Sequence, residues 1–281
     1  MSTLARLVGE PQEFTAGWPV EPTVYQRDAT DLAELFTHDD ARRIVTDPAL
    51  RPIGMGMVTS GTALTSAPDA DHPRDTLVLN GLHLSWPPLR DAARLLSAEL
   101  GHPVTANVYR TPADATGYGP HWDTHHVFLA QVDGMKVWRL HPPVFTDPLE
   151  RHPWTRVGLT QEQLDQIHRV ARTVTLTAGQ VLYIPRGWIH FGHTEDQQSI
   201  HITLGVQLLT RHWVLQQLAD QAAEHPEMRA ALPPNLSALH VEDIVGDTTS
   251  TLQAWLAGLD PAQAGGPIHI SQQLAVYGVT R

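Results

Sequence analysis

Over the first hundred residues, apolar positions recur at helical spacing more often than they alternate. DLAELFTHDDARRIV, Asp31 to Val45, has the spacing of one amphipathic helix. PPLRDAARLLSAELG is clearer: Pro88 suits a first turn, Leu89, Ala92, Leu95 and Leu96 form a stripe, and Gly101 suits the stop. Between them GTALTSAPDADHPRD, Gly61 to Asp75, reads as an exposed loop. Residues 1–100 are therefore expected to be a scaffold of helices and loops.

From Val104 the pattern turns to short β segments. VTANVY predicts a strand, TPADATGYGP a Gly/Pro loop, HHVFLAQV a strand, DG a tight turn, and MKVWRL the returning strand of a hairpin. After the loop HPPVFTDPLERHPWTRVG, Thr160 and Gln163 fit the capping box of a short helix. TVTLT and QVLYIP flank an Ala-Gly turn, RGWIHFGHTEDQQ follows, and SIHITLGVQLL closes the series. Many short strands joined by such turns predict a mainly β fold, a double-stranded β-helix of the jelly-roll or cupin kind, over residues 101–210. Beyond it, HWVLQQLADQAAEH and VEDIVGDTTSTLQAWLAGL predict a C-terminal helical appendage, residues 211–281, whose apolar stripes could pair two copies in a homodimer or cover the barrel.

Composition narrows the function. The 281 residues suffice for one sizeable core, and 42% hydrophobic with 17% charged residues excludes wholesale disorder. A formal charge of −11 argues against a general phosphate-backbone binder, so no direct nucleic-acid contact is expected. The N-terminus lacks the apolar core of a signal peptide, and no apolar run approaches the ~20 residues of a membrane span; a cytoplasmic protein without membrane association is expected. With no cysteine, His, Asp and Glu are the strong ligands left for a transition metal, and there are 17 histidines. Lys136 is the only lysine; the rest of the 19 basic residues are arginine.

Among the histidines that stand two residues before a carboxylate are those of His38/Asp40, His121/Asp123, His193/Glu195 and His240/Glu242. The first lies in a helical pattern, where residues two apart do not face each other, and the last at a helix start, so both read as solvated surface. His193/Glu195, in a polar loop, reads as surface or as support for a site. His121/Asp123 opens a strand after a Gly/Pro loop, where alternate residues share a face and can point at one ion. His190, at a strand end in YIPRGWIH, can complete the set. Two imidazoles and a carboxylate are the ligands of non-haem Fe(II) oxygenases, but they also suit Zn(II), Mn(II) or Ni(II). Spacing alone does not separate this from three unrelated surface residues. His125 or His126 could replace His190, or line the pocket, or pack in the barrel. HWDTHH does not reproduce the ligand order of binuclear zinc hydrolases.

NVYRTPADATGYGPHWDTHHVFLAQVDGMKVWRLHPP followed by LTAGQVLYIPRGWIHFGHT resembles the JmjC-domain 2-oxoglutarate oxygenases, in the cupin-like branch that includes the ribosomal oxygenases. The likeness covers roughly Phe14 to Leu209, and the helices after Arg211 resemble part of that group's dimerisation segment. It implies a JmjC-type jelly roll with Fe(II), 2-oxoglutarate and O2 as cofactors. His121, Asp123 and His190 would be the Fe(II) ligands and the catalytic centre. Lys136 would pair with the distal carboxylate of 2-oxoglutarate, a place where the family uses Lys or Arg. Asn107 and Tyr109 would lie beside cosubstrate and iron, and Thr203 would be a polar pocket position. Trp138 and Trp188 are expected to pack the barrel.

The implied reaction is hydroxylation of a side chain in a protein or peptide, a ribosomal protein first, with release of succinate and CO2. The ~70 residues after the barrel are few for a full dimerisation segment plus the winged-helix domain of ribosomal oxygenases, and the acidic charge suits a basic partner poorly. A small peptide or secondary metabolite is the alternative substrate; a non-catalytic metal- or sugar-binding cupin is the alternative class. Histone demethylation belongs to other JmjC branches and ranks lower. The hairpin poses a difficulty: turning at Asp133-Gly134, it would set Lys136 opposite Gln131, ~26 Å along the strand from Asp123. Both residues can serve one cosubstrate only if the chain curls between two sheets.

Overall fold

In a computed structural model, which describes residues 2–59, 62–64, 67–232, 234 and 240–277, short amphipathic segments and long buried strands alternate along the chain. The N-terminal part runs α1 (Thr3–Val8), α2 (Gln12–Ala16), β1 (Thr23–Gln26), α3 (Ala29–Ala33), α4 (His38–Thr46), β2 (Gly54–Thr59), β3 (Thr62–Leu64), β4 (Thr76–Asn80) and α5 (Pro87–Leu100). Then come β5 (Val104–Thr111), β6 (His126–His141), α6 (Trp154–Val157), α7 (Gln161–Val170), β7 (Arg172–Thr177), β8 (Gln180–Ile184), β9 (Ile189–His193) and β10 (Ser199–Val206). The last helices are α8 (Arg211–Ala222), α9 (Val241–Ala257) and α10 (Pro261–Tyr277).

Four strands thus lie in the first hundred residues, where helices and loops were expected. Within the stretch read as a loop, residues 62–64 form β3, while residues 61, 65 and 66 lie outside the described residues. The single helix expected over Asp31 to Val45 is two, because Thr37 is extended (φ −128°) and caps α4 reciprocally with Asp40. In α5, Pro87 and Pro88 open the helix and Gly101, at φ +69°, closes it. Leu95 stands out of the stripe at 44% exposure, its place taken by buried Ala93. The predicted capping box of α7 is present, with Thr160 and Gln163 exchanging side-chain to backbone bonds.

The decisive departure is β6. DG is no hairpin turn: the strand continues through Asp133-Gly134 for 16 residues. Its first half pairs with β8 and β10, its second with β7 and β9, so one strand belongs to two sheets. At the crossing the partners of Ile200 and His201 jump from Asp133 to Gln131, leaving Val132 as a bulge. Gly134 has φ +63°, and a Cβ there would sit 1.8 Å from the Gln198 carbonyl oxygen. Only glycine fits.

The larger sheet has the order β1-β8-β6-β10-β5-β4-β2-β3. Its β5 and β10 pair antiparallel from Val104↔Val206 to Thr111↔Ser199, and each sorts its side chains by alternation. Val104, Ala106, Val108, Ile200, Ile202 and Leu204 join the helices in the main core, with Leu7, Leu32, Ile44, Leu89 and Leu96. On the opposite faces of these strands stand Tyr109, Thr111, His201 and Thr203. Between the sheets a second cluster of Val127, Leu129, Trp138, Leu140, Leu176 and Leu182 frames the site, with Trp188 packed against it. The architecture is the expected jelly roll.

The chain divides into two units after residue 208. In the second, Gln221 Nε2 of α8 donates to the Ala264 carbonyl of α10 at 3.1 Å, and Val214, Leu215, Val245, Leu256 and Ile270 are exposed. The helix α10 was not foreseen, because Gly265-Gly266-Pro267 punctuates its sequence. Among the described residues no helix is long and apolar enough to cross a membrane.

Candidate active site

The chain segment before β6 is a loop, and His121 and Asp123 lie in it five and three residues ahead of the strand that they were expected to open. What fixes them is a bridge to β9. His121 N–H donates to the His190 carbonyl at 3.3 Å and His190 N–H to the His121 carbonyl at 2.8 Å, so the two histidines stand directly opposite. The Asp123 carbonyl accepts from Gly187 N–H at 2.9 Å, which ties the loop to the turn before β9. The ring centroids of His121 and His190 are 4.4 Å apart, His190 Nε2 is 3.5 Å from Asp123 Oδ2, and donor atoms from all three residues lie within 4.8 Å of one another. Among the described residues this is the one such cluster of metal-ligand types.

Each imidazole is held the same way. Nδ1 of His121 is 2.8 Å from the Gly119 carbonyl and Nδ1 of His190 is 3.0 Å from the Trp188 carbonyl. A carbonyl can only accept, so Nδ1 carries the proton and each Nε2 lone pair is free for a metal. Burial, then the neighbouring His121, pushes the His190 pKa down to about 4, so the ring is neutral at neutral pH. Burial opposes the charge of Asp123, yet the imidazoles of His125, His190 and His121 hold its carboxyl below the usual range. Two imidazole nitrogens and a carboxylate oxygen fit a divalent transition metal.

The same cavity, about 320 Å³, extends from this triad to Lys136. The lysine is 2% exposed, donates to Thr111 Oγ1 at 2.9 Å and lies 5.1 Å from the Trp138 ring centroid. No carboxylate among the described residues pairs with it, and burial brings its pKa down to about 7. A cation placed so awaits an anion. The bulged β6 is what sets it in the cavity of Asp123, and so removes the difficulty that the flat hairpin raised.

Tyr109 and Thr203 also line the cavity. Tyr109 stacks on His201 at 5.0 Å and 6° between planes, and burial, then Asp123, raises its hydroxyl pKa. Asn107 is not among the lining residues; its Oδ1 accepts from Gly81 N–H at 2.8 Å, which makes it a tie to the segment after β4. His125 faces Gly205, and His126 packs on Trp18 and Tyr183 with Nδ1 accepting from Arg186 N–H at 2.9 Å. Both therefore stand outside the triad.

With this geometry, a comparison with known families is decisive. A JmjC domain model matches residues 89–229. The chain belongs to the JmjC domain family. A curated relative named bifunctional lysine-specific demethylase and histidyl-hydroxylase NO66, from Drosophila yakuba, is 33% identical over 187 residues, 65% of this JmjC chain and 25% of the relative. The protein of the same name from Dictyostelium discoideum is 39% identical over 157 residues, 51% of this chain and 29% of its own. The chain thus spans about a quarter of the length of such relatives. Among solved structures, YcfD, a ribosomal oxygenase from Escherichia coli in complex with cobalt and succinic acid, superposes with a TM-score of 0.56 at 15% identity over 92% of this chain and 69% of that one. At that identity the likeness is one of fold.

Several lining residues escaped sequence reasoning: Tyr118, Trp154, Thr155, Phe191 and His201. Trp154 begins α6 within a stretch read as loop, and its ring centroid comes 5.9 Å from that of His121. No periodicity marks it. His201 is different, since alternation along SIHITLG puts it on the face of Thr203.

Proposed function

We propose that this JmjC chain is an Fe(II)- and 2-oxoglutarate-dependent oxygenase that hydroxylates a side chain of a protein, a ribosomal protein first, in the cytoplasm. The observation that carries it is one cavity with two opposite ends, a triad of two imidazoles and a carboxylate and a buried lysine without an anion. His121, Asp123 and His190 would hold the iron. Bound there, iron with 2-oxoglutarate and O2 supplies the oxidising power to hydroxylate an unactivated C–H while the cosubstrate becomes succinate and CO2.

The chain's own residues bind, orient and exclude water. Lys136 meets the distal carboxylate of the cosubstrate and Thr203 offers a hydroxyl beside it, so one orientation is favoured over its reverse. Trp138 packs beside Lys136, and Tyr109 and Leu129 line the same cavity. Tyr118, Trp154, Thr155 and Phe191 line the remaining wall, where a target side chain would enter. Asn107 acts one step back, holding the chain after β4. By the domain reading, residues 1–100 are the scaffold, 101–210 carry the chemistry, and the exposed apolar positions of 211–281 pair two copies. The names histidyl-hydroxylase and ribosomal oxygenase, borne by relatives and fold neighbours, support a protein substrate.

The test is turnover of 2-oxoglutarate to succinate with peptides of ribosomal proteins. It should need Fe(II) and O2, add one oxygen to the peptide, and vanish in Asp123→Ala. Formaldehyde release from a methyl-lysine peptide instead would make the chain a demethylase; iron binding without succinate under any condition would favour a binding cupin.

A further inference from the structure

The lysine that faces the cavity is attached to a line of buried hydroxyls. Thr111 closes β5 and Thr76 opens β4, and both are fully buried at 0% exposure. Lys136 Nζ is 2.9 Å from Thr111 Oγ1, Thr111 Oγ1 is 3.2 Å from Thr76 Oγ1, and Thr76 Oγ1 is 3.2 Å from the Thr116 carbonyl oxygen. The proton inventory orders this chain. A carbonyl only accepts, so Thr76 gives its hydroxyl proton to Thr116; Thr111 then gives its own to Thr76, and its oxygen lone pairs face Lys136. Each hydroxyl donates once and accepts once, and all point away from the ammonium.

Space at the lysine is equally constrained. A Cβ at Gly192 would lie 3.0 Å from Lys136 Cε and 3.0 Å from the Trp138 ring, and one at Gly117 would lie 3.7 Å from Nζ. Gly117 N–H in turn donates to the Gly192 carbonyl at 3.3 Å. The slot is sized for a slender ammonium, and an acceptor waits at its end. Glycine at both positions leaves the lysine side chain its path to that acceptor.

We propose that Thr111 and Thr76 are positioning residues for cosubstrate binding, a one-way hydrogen-bond relay that holds Lys136 in place and keeps it charged. This rests on the reading of Lys136 as the anchor of the distal carboxylate. The other titratable groups on the cavity wall are Tyr109, Tyr118, His121, Asp123, His190 and His201; His201, on β10, stays neutral because burial, then Lys136, lowers its pKa. β7 sets Leu176 opposite the lysine, and among the described residues its side-chain hydrogen bond goes to Thr111.

Having one lysine makes the test direct: protein grown on 13C,15N-lysine carries a single labelled side chain, whose Cε signal reports its protonation. In metal-free, ligand-free protein, Thr111→Val should lower the titration midpoint by about one pH unit, Thr76→Val should lower it less, and Thr111→Ser should restore it. Binding of 2-oxoglutarate, read from the same signal, should weaken about tenfold in Thr111→Val with iron affinity unchanged. An unmoved midpoint in folded Thr111→Val, or in Thr76→Val if the former does not fold, overturns the relay. A wild-type signal indifferent to 2-oxoglutarate overturns the anchor reading instead, whatever the midpoints show.

Discussion

At the triad end of the cavity, backbone carbonyls fix both imidazoles in one tautomer; at the Lys136 end, a charge is buried without an opposite charge and rests on one hydroxyl. Both rings of the triad are held in orientation by the backbone before any ligand arrives. Lys136 carries a buried charge that costs stability, a cost that either loss of its proton or a bound anion relieves. On the proposed function, one end would hold a metal and the other would exchange a cosubstrate.

The largest effect that can break this contrast is at the triad. His190→Ala should lower Co(II) or Fe(II) affinity at least ~100-fold, measured by metal titration, and leave folding intact. If metal affinity survives, His125 has to be reconsidered. Next is the joint between the two ends. Gly134→Ala forces a side chain onto the Gln198 carbonyl at a left-handed φ, and should cost about 3 kcal/mol or more in urea unfolding. It should also weaken 2-oxoglutarate binding more than metal binding, because Lys136 lies two residues beyond.

Lys136→Met sharpens the contrast from the other side. The variant should lose 2-oxoglutarate binding and yet gain about 2–4 kcal/mol of stability in the unliganded state near neutral pH. The sign follows from protons. The folded lysine titrates at about 7 and the unfolded one near 10.5, so between those values the unfolded chain binds more protons and wild-type stability rises with pH. In the variant that rise should disappear. For the same reason wild-type affinity for 2-oxoglutarate should fall above pH 7, as the anchor must first take up a proton. The smallest effect belongs to Asn107→Ala: about 1–2 kcal/mol of stability from the lost Gly81 bond, with 2-oxoglutarate affinity changed less than about threefold. A large loss of affinity would put Asn107 back beside the cosubstrate.

The two ends also differed in how far the sequence revealed them. Context singled out His121 and Asp123, with His190 a candidate third and His125 or His126 open in its place, and the resemblance chose the set; their convergence needed only that two loop-flanking segments meet. The role of Lys136 came from resemblance, because its placement depends on a bulge that local pattern misreads. Asp133-Gly134 looks like a hairpin turn, since a glycine at positive φ serves a two-residue turn and a bulge equally well. The pairing with Ser199 through Val206, remote in sequence, decides between them. The N-terminal strands were hidden for a similar reason: Thr76–Asn80 pairs with the edge of β5, and Gly54–Thr59 pairs with Thr76–Asn80 in turn. In α10, packing against α8 overrides glycine and proline that would end a helix in isolation.

The most direct test of the account is anaerobic titration of the metal-free protein with Fe(II) and 2-oxoglutarate, following the weak visible charge-transfer absorption of the chelate. The account predicts a saturable band that Asp123→Ala abolishes and that Lys136→Ala shifts to much higher 2-oxoglutarate concentration. Tight iron binding with no band would contradict it, and the two ends of the cavity would then not serve one cosubstrate.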